Sequence, residues 1–109
     1  MQTDNLRFDF ILKRIQEIEE YIAEYNSITK MLSSHKEYNA TLMCLLQIGE
    51  VLNKLSNSYE QLDQEDIKGA YDVRNFIAHD YDGVRKSIIE NVLRYFLPKL
   101  KNIILELNR

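Results

Sequence analysis

Apolar residues recur along most of this chain at alternating three- and four-residue steps, the period of a helix that buries one face. Phe8, Ile11, Ile15, Ile18, Ile22 and Tyr25 make the first such stripe, with Lys13, Arg14, Glu17, Glu19, Glu20 and Glu24 on the other faces. They predict a helix from about Asp4 to Ile28. Asn26-Ser27 and Ser33-Ser34 bracket an expected loop. Beyond it, Leu42, Leu45, Leu46, Val51, Leu52 and Leu55 predict a second helix over roughly Lys36 to Ser56. The pair Gly49-Glu50 falls inside that segment. Glycine costs about 1 kcal/mol relative to alanine in a helix interior, so a closely packed neighbouring helix is the simplest reason for it.

A third helix is expected from near Asp63, where Asp63, Glu65 and Asp66 suit the positive end of a helix dipole. It runs through Ala70 and Val73 into the stretch Arg74 to Tyr81, and Asp82-Gly83 then signals a turn. The fourth helix spans about Val84 to Leu107, with Ile88, Val92, Tyr95, Phe96, Leu100, Ile103 and Leu107 as its expected inward stripe. Pro98 must either kink this helix or divide it. Short connections make sequential helices antiparallel neighbours, so the pattern predicts an all-α bundle of four helices, or five if the last is split.

Composition narrows the picture only in places. A chain of 109 residues suits one domain, 1–109, and its three Gly and one Pro are too few for the turns of an all-β fold. The net charge of −3 argues against tight nonspecific binding of nucleic acid, yet leaves room for a local cationic cleft. The single cysteine, Cys44, lies in an apolar run and reads as a small buried side chain rather than a nucleophile. His35 reads as a surface residue. No apolar run reaches the length of a membrane span and no leader is visible, so a cytoplasmic protein away from membranes is expected.

The chemistry concentrates in Arg74-Asn75-Phe76-Ile77-Ala78-His79-Asp80-Tyr81. Arginine offers a permanently charged, planar fork of donors that matches phosphate. Histidine exchanges a proton near neutral pH and can act as general acid or base, and Asn75 can orient either group. Together they suit cleavage of an RNA phosphodiester by its own 2′-hydroxyl. Carboxylates do not cluster with histidines at ligand spacing, so neither metal nor cofactor is expected. Geometry complicates the scheme, because positions five apart on a straight helix point about 140° away from each other. The helix could end before His79, long side chains could curl round, or two chains could build the site across a two-fold axis. The last is preferred, since it also gives a small acidic protein a cationic cleft. A purely structural reading stands beside these: Arg74 paired with a carboxylate of a neighbouring helix, His79 at a helix end, and Tyr81 packed in a loop.

The spacing Arg-x4-His-x-Tyr resembles the motif of the HepT-like family of HEPN proteins, toxin partners of the minimal nucleotidyltransferase MNT. Leu46-Gln47-Ile48-Gly49-Glu50-Val51-Leu52 resembles the Ile-Gly-Glu segment of the family's preceding helix, and Leu97-Pro98-Lys99-Leu100 its Leu-Pro-x-Leu near the C-terminus. The likeness covers roughly residues 6 to 107. It departs where many members carry Pro-Trp before the arginine and this chain has Glu65-Asp66-Ile67. The resemblance implies a HEPN-type bundle and a metal-independent endoribonuclease acting as a homodimer, or a higher oligomer. Arg74 would then bind the scissile phosphate, His79 would be the acid or base, and Asn75 the polar helper. It also implies an MNT-type antitoxin able to transfer AMP to Tyr81. The alternative is a non-catalytic subunit that binds nucleotide or substrate for a separate nucleotidyltransferase.

Overall fold

The first stripe becomes a single long helix, α1 (Gln2–Tyr25), whose 24 residues at 1.5 Å each span about 36 Å of a molecule 39 Å long. The computed structural model describes residues 2–108, with side chains from Asp4 onward, and these residues form helices and connections without strands. Phe8, Ile11, Ile15 and Ile18 are fully buried along α1. The segment between the serine pairs, expected as a loop, is instead a short helix, α2 (Ile28–Ser33). Asn26 takes a positive φ of 56° to turn the chain, and Ser27 caps α2 by accepting from the Lys30 N–H at 3.1 Å. Six residues carry too little periodicity to announce a helix, but burial of Met31 and Leu32 in the core holds it.

The second stripe is α3 (His35–Leu52), which stops four residues short of the expected Ser56. Its Gly49 explains the helix it meets. A Cβ there would lie 2.6 Å from the Ala70 carbonyl oxygen and 2.8 Å from Arg74 Cβ, both on α4 (Gln64–His79). Glycine is therefore what lets α4 lie directly against α3, as its place in the helix suggested. Gly69 of α4 is the opposite case, with nothing within 4 Å of the same hypothetical atom.

The early end of α3 has its own anchor. Residues 53–63 form an irregular connection closed onto the buried Asp4 carboxylate. That carboxylate accepts from the Ser56 N–H at 2.8 Å, the Asn57 N–H at 3.2 Å, the Tyr59 hydroxyl at 2.6 Å and Arg7 at 3.2 Å. Burial alone would push the Asp4 carboxyl up, but these donors outweigh it and hold it far below the usual carboxylate range.

The last helical stretch comprises α5 (Lys86–Asn91), a wide π turn over Val92–Phe96, and α6 (Leu97–Leu107). Pro98 neither breaks nor splits it. The path stays helical, and the Leu97 N–H reaches back to the Val92 carbonyl, a five-residue step that fits a chain about to lose a donor at Pro98. The wide turn also rotates the stripe. Ile89, Leu93, Leu97, Leu100 and Ile104 are buried, whereas the expected Ile88 and Tyr95 are 43% and 72% exposed. Val92, Phe96, Ile103 and Leu107 pack at the margin of the core. The architecture is an all-α helical bundle, as the apolar periodicity predicted. Among the described residues, no helix is long and apolar enough to cross a membrane.

Asp4→Asn should lower stability at pH 7 by on the order of 2–4 kcal/mol, since buried donors to a charged acceptor lose part of their partner. A carboxyl depressed on folding stabilises fully above the unfolded value of about 3.9 and less as pH falls through the folded one. Urea denaturation should therefore show the gap between wild type and Asp4→Asn narrowing below about pH 4. The same assay should separate two glycines. Gly49→Ala should cost about 1–3 kcal/mol by overpacking, while Gly69→Ala should gain up to about 1 kcal/mol.

Candidate active site

Helix α4 carries the motif, and local chemistry sets both its ends. Asp63 caps the start by accepting from the Glu65 N–H at 2.9 Å, and Asp66 is paired with Lys99 of α6 at 2.9 Å. The helix remains regular through His79. There the Asp80 N–H closes the last turn onto the Phe76 carbonyl at 3.0 Å. A 3₁₀ turn follows over Tyr81–Gly83, so the motif's tyrosine lies just beyond the helix while its arginine and histidine lie within it.

Arg74 reaches across to α3. Its Nε and one terminal nitrogen donate to the same oxygen of Glu50, at 3.0 and 2.5 Å, and its other terminal nitrogen donates to Asn75 Oδ1 at 2.9 Å. The guanidinium carbon also sits 5.5 Å from the centre of the Tyr71 ring. The Glu50 hydrogen bonds raise the guanidinium's pKa above its already high value, so it stays charged. Of its five N–H groups, the three bonds leave two free, on a side chain still 24% accessible.

His79 is exposed and makes no hydrogen bond or ion pair among the described residues. At 100° per residue it points about 140° away from Arg74. The helix does not end before it, which removes the first way of uniting the two groups. Arg74 is turned toward Glu50, and no interaction joins it to His79. One chain thus brings Arg74 and Asn75 together and leaves His79 apart.

Tyr81 is held separately. Its hydroxyl donates to Asn39 Oδ1 of α3 at 2.7 Å, and the Asn39 amide nitrogen lies 3.2 Å from His35 Nε2. His35 is on the surface as expected, but opens α3 and has this partner. The structural reading of Arg74, paired with a carboxylate of a neighbouring helix, is what the fold shows, although the sequence did not single out Glu50 as the partner and did not name Asn39. Glu50 could have been found from its place after a glycine that marks the helix contact. Asn39 is 42 residues from Tyr81 and gave no such signal.

Two apolar hollows between α4 and the last helix share Val73. The larger, about 230 Å³, is floored by Leu45 and Ile48 and walled by Ala70, Val92 and Phe96. The smaller is walled by Phe76, Ile77, Val84 and Ile88, so it lies beside the motif. Phe76, between Arg74 and His79 in sequence, is 50% exposed. Among the described residues, no group of three or more His, Cys, Asp or Glu is placed to hold a metal ion.

An all-α bundle with Arg-x4-His-x-Tyr at the end of a helix packed against α3 is the arrangement of the HEPN class. The family model described as Ribonuclease HepT-like matches residues 11–107, and the chain belongs to that family. No solved structure matches it.

Cys44 stands outside this chemistry. Burial pushes its thiol up to about 12, helped by a hydrogen bond to Glu17 at 3.5 Å. Native protein at pH 8 should react with a thiol-directed disulfide reagent far more slowly than urea-unfolded protein, whose thiol titrates near 8.5. Equal rates in the two states would show that the thiolate is accessible in the fold.

Proposed function

We propose that the protein is a metal-independent endoribonuclease toxin of a toxin–antitoxin pair, cleaving RNA at a site built by two copies and silenced by an MNT-type nucleotidyltransferase. In this scheme His79 takes the proton of a ribose 2′-hydroxyl, that oxygen attacks the adjacent phosphorus, and the 5′-oxygen leaves with a proton returned by an imidazolium. Arg74 stabilises the charge that develops on the phosphoryl oxygens, and Asn75 steadies the guanidinium. The carrying observation is the separation itself. An unbonded, exposed imidazole and a guanidinium with two spare donors occupy one helix, α4, and one chain does not unite them.

A two-fold partner seated on the apolar surface around Phe76 and Ile88 would bury both side chains and bring the two copies of α4 near one another. Membership of a ribonuclease family supports RNA as the substrate. Tyr81 is exposed on the turn just past His79, which supports the silencing reading, since an added adenylate would bring negative charge beside the histidine. The ion pair between Glu50 and Arg74 favours a second reading, in which a partly neutralised site binds nucleotide for a separate enzyme and cleaves nothing.

Purified protein should cleave RNA in EDTA. His79→Ala should lower the rate on the order of 10²- to 10⁴-fold, and Arg74→Ala on the order of 10²- to 10³-fold. Mixing and re-equilibrating the two inactive variants should restore activity to on the order of a quarter of wild type, because hybrid dimers regain one complete arginine–histidine pair. Full activity in both single variants would place the chemistry elsewhere. Nucleotide binding without cleavage by wild type would support the second reading.

A further inference from the structure

We propose that the groove between the start of α3 and the turn after α4 is a nucleotide subsite, holding the base next to the cleaved phosphate of single-stranded RNA. The proposal rests on the ribonuclease reading above and adds a place and a recognition mode. The groove has a volume of about 240 Å³ and is lined by His35, Tyr38, Asn39, Tyr81, Asp82, Val84 and Lys86.

Three features suit a nucleotide. Tyr81 is 42% exposed yet held by its hydroxyl bond to Asn39, so its aromatic side chain has little freedom left to lose. Aromatic rings stack on bases in single strands, largely regardless of base identity. The polar edge comes next. With its oxygen taken by Tyr81, Asn39 has its amide nitrogen left for His35 Nε2, which must then be the unprotonated ring nitrogen. This leaves His35 Nδ1–H and the second Asn39 N–H, on two residues that line the groove, without a partner among the described residues and available to a base edge. Finally, Lys86 Nζ lies 5.1 Å from the centre of the Tyr38 ring, and the Tyr38 hydroxyl donates to the Val84 carbonyl at 3.3 Å. A cation is therefore fixed at the groove wall, where a neighbouring phosphate would pass.

Reach favours the assignment. Tyr81 is two residues beyond His79, so their Cα atoms are at most about 7 Å apart, close to one nucleotide of backbone. A base splayed from a single strand fits such a concave, mixed surface, whereas a stacked duplex does not enter it. Asp82 offsets Lys86, so the attraction is carried by stacking more than by charge.

The test uses the full chain carrying His79→Ala, so that RNA is bound without being cut. Short single-stranded oligoribonucleotides are titrated by fluorescence anisotropy, with helicity checked by circular dichroism. Adding Tyr81→Leu, which keeps apolar bulk but removes the ring, should weaken binding about tenfold. Tyr81→Phe, which keeps the ring, should retain most of the affinity. Lys86→Ala should reduce the salt slope of binding by about one ion. In protein with His79 intact, the ratio of kcat/KM for a long substrate over one truncated on that side should exceed one, and Asn39→Ala should bring it toward one.

Folded Tyr81→Leu and Asn39→Ala proteins with wild-type affinity and wild-type ratio would overturn the subsite and leave the ribonuclease reading standing. A wild-type chain that neither binds nor cleaves RNA would overturn both.

Discussion

The contact at Gly49 is the constraint on which the rest of the structure depends. A helix backbone can approach another this closely only where a side chain is missing, and here the Ala70 carbonyl occupies the space a Cβ would need. The consequence is more than packing density. Because α4 lies directly on α3 at that level, the next residue of α3, Glu50, meets the guanidinium of Arg74. One absent methyl group thus fixes the register between the helix that carries the motif and the helix that braces it.

That bracing has two sides. A guanidinium held through Nε and one terminal nitrogen keeps a single rotamer, and its remaining donors point in a defined direction. The same carboxylate cancels much of the charge a phosphate would feel. An anion approaching Arg74 would meet a group already satisfied on one edge. The apolar surface flanking Phe76 lies on this same helix, and a partner covering it would exclude water around the arginine and strengthen its remaining interactions.

The end of α4 divides the motif's labour. Arg74 and His79 sit on a rigid helix, while Tyr81 stands on a 3₁₀ turn and is steadied from a different element by Asn39. The helical pair and the tyrosine of the motif are thereby held by different elements of the bundle. At the far end of the bundle, Asp4 plays a purely architectural part. Its buried carboxylate gathers the backbone N–H groups of the chain leaving α3 and so sets where the connection to α4 begins.

Periodicity alone determined that this chain is helical, where its long helices lie, and that something packs tightly at Gly49. These properties are local, or follow from which face must avoid water, and a sequence displays both. The motif was equally legible, because its residues are neighbours in the chain. The structure alone decided that six residues between serines form a helix and that a π turn before Pro98 rotates the last stripe onto Ile89 and Leu93. In that last segment apolar residues occur on adjacent faces, so a one-residue change of register costs the pattern nothing. Glu50 on Arg74, Asn39 on Tyr81 and Asp4 under Tyr59 are partners 24, 42 and 55 residues apart. Such pairings depend on the angles and depths at which helices dock, which the packing of the whole core sets and no local pattern encodes.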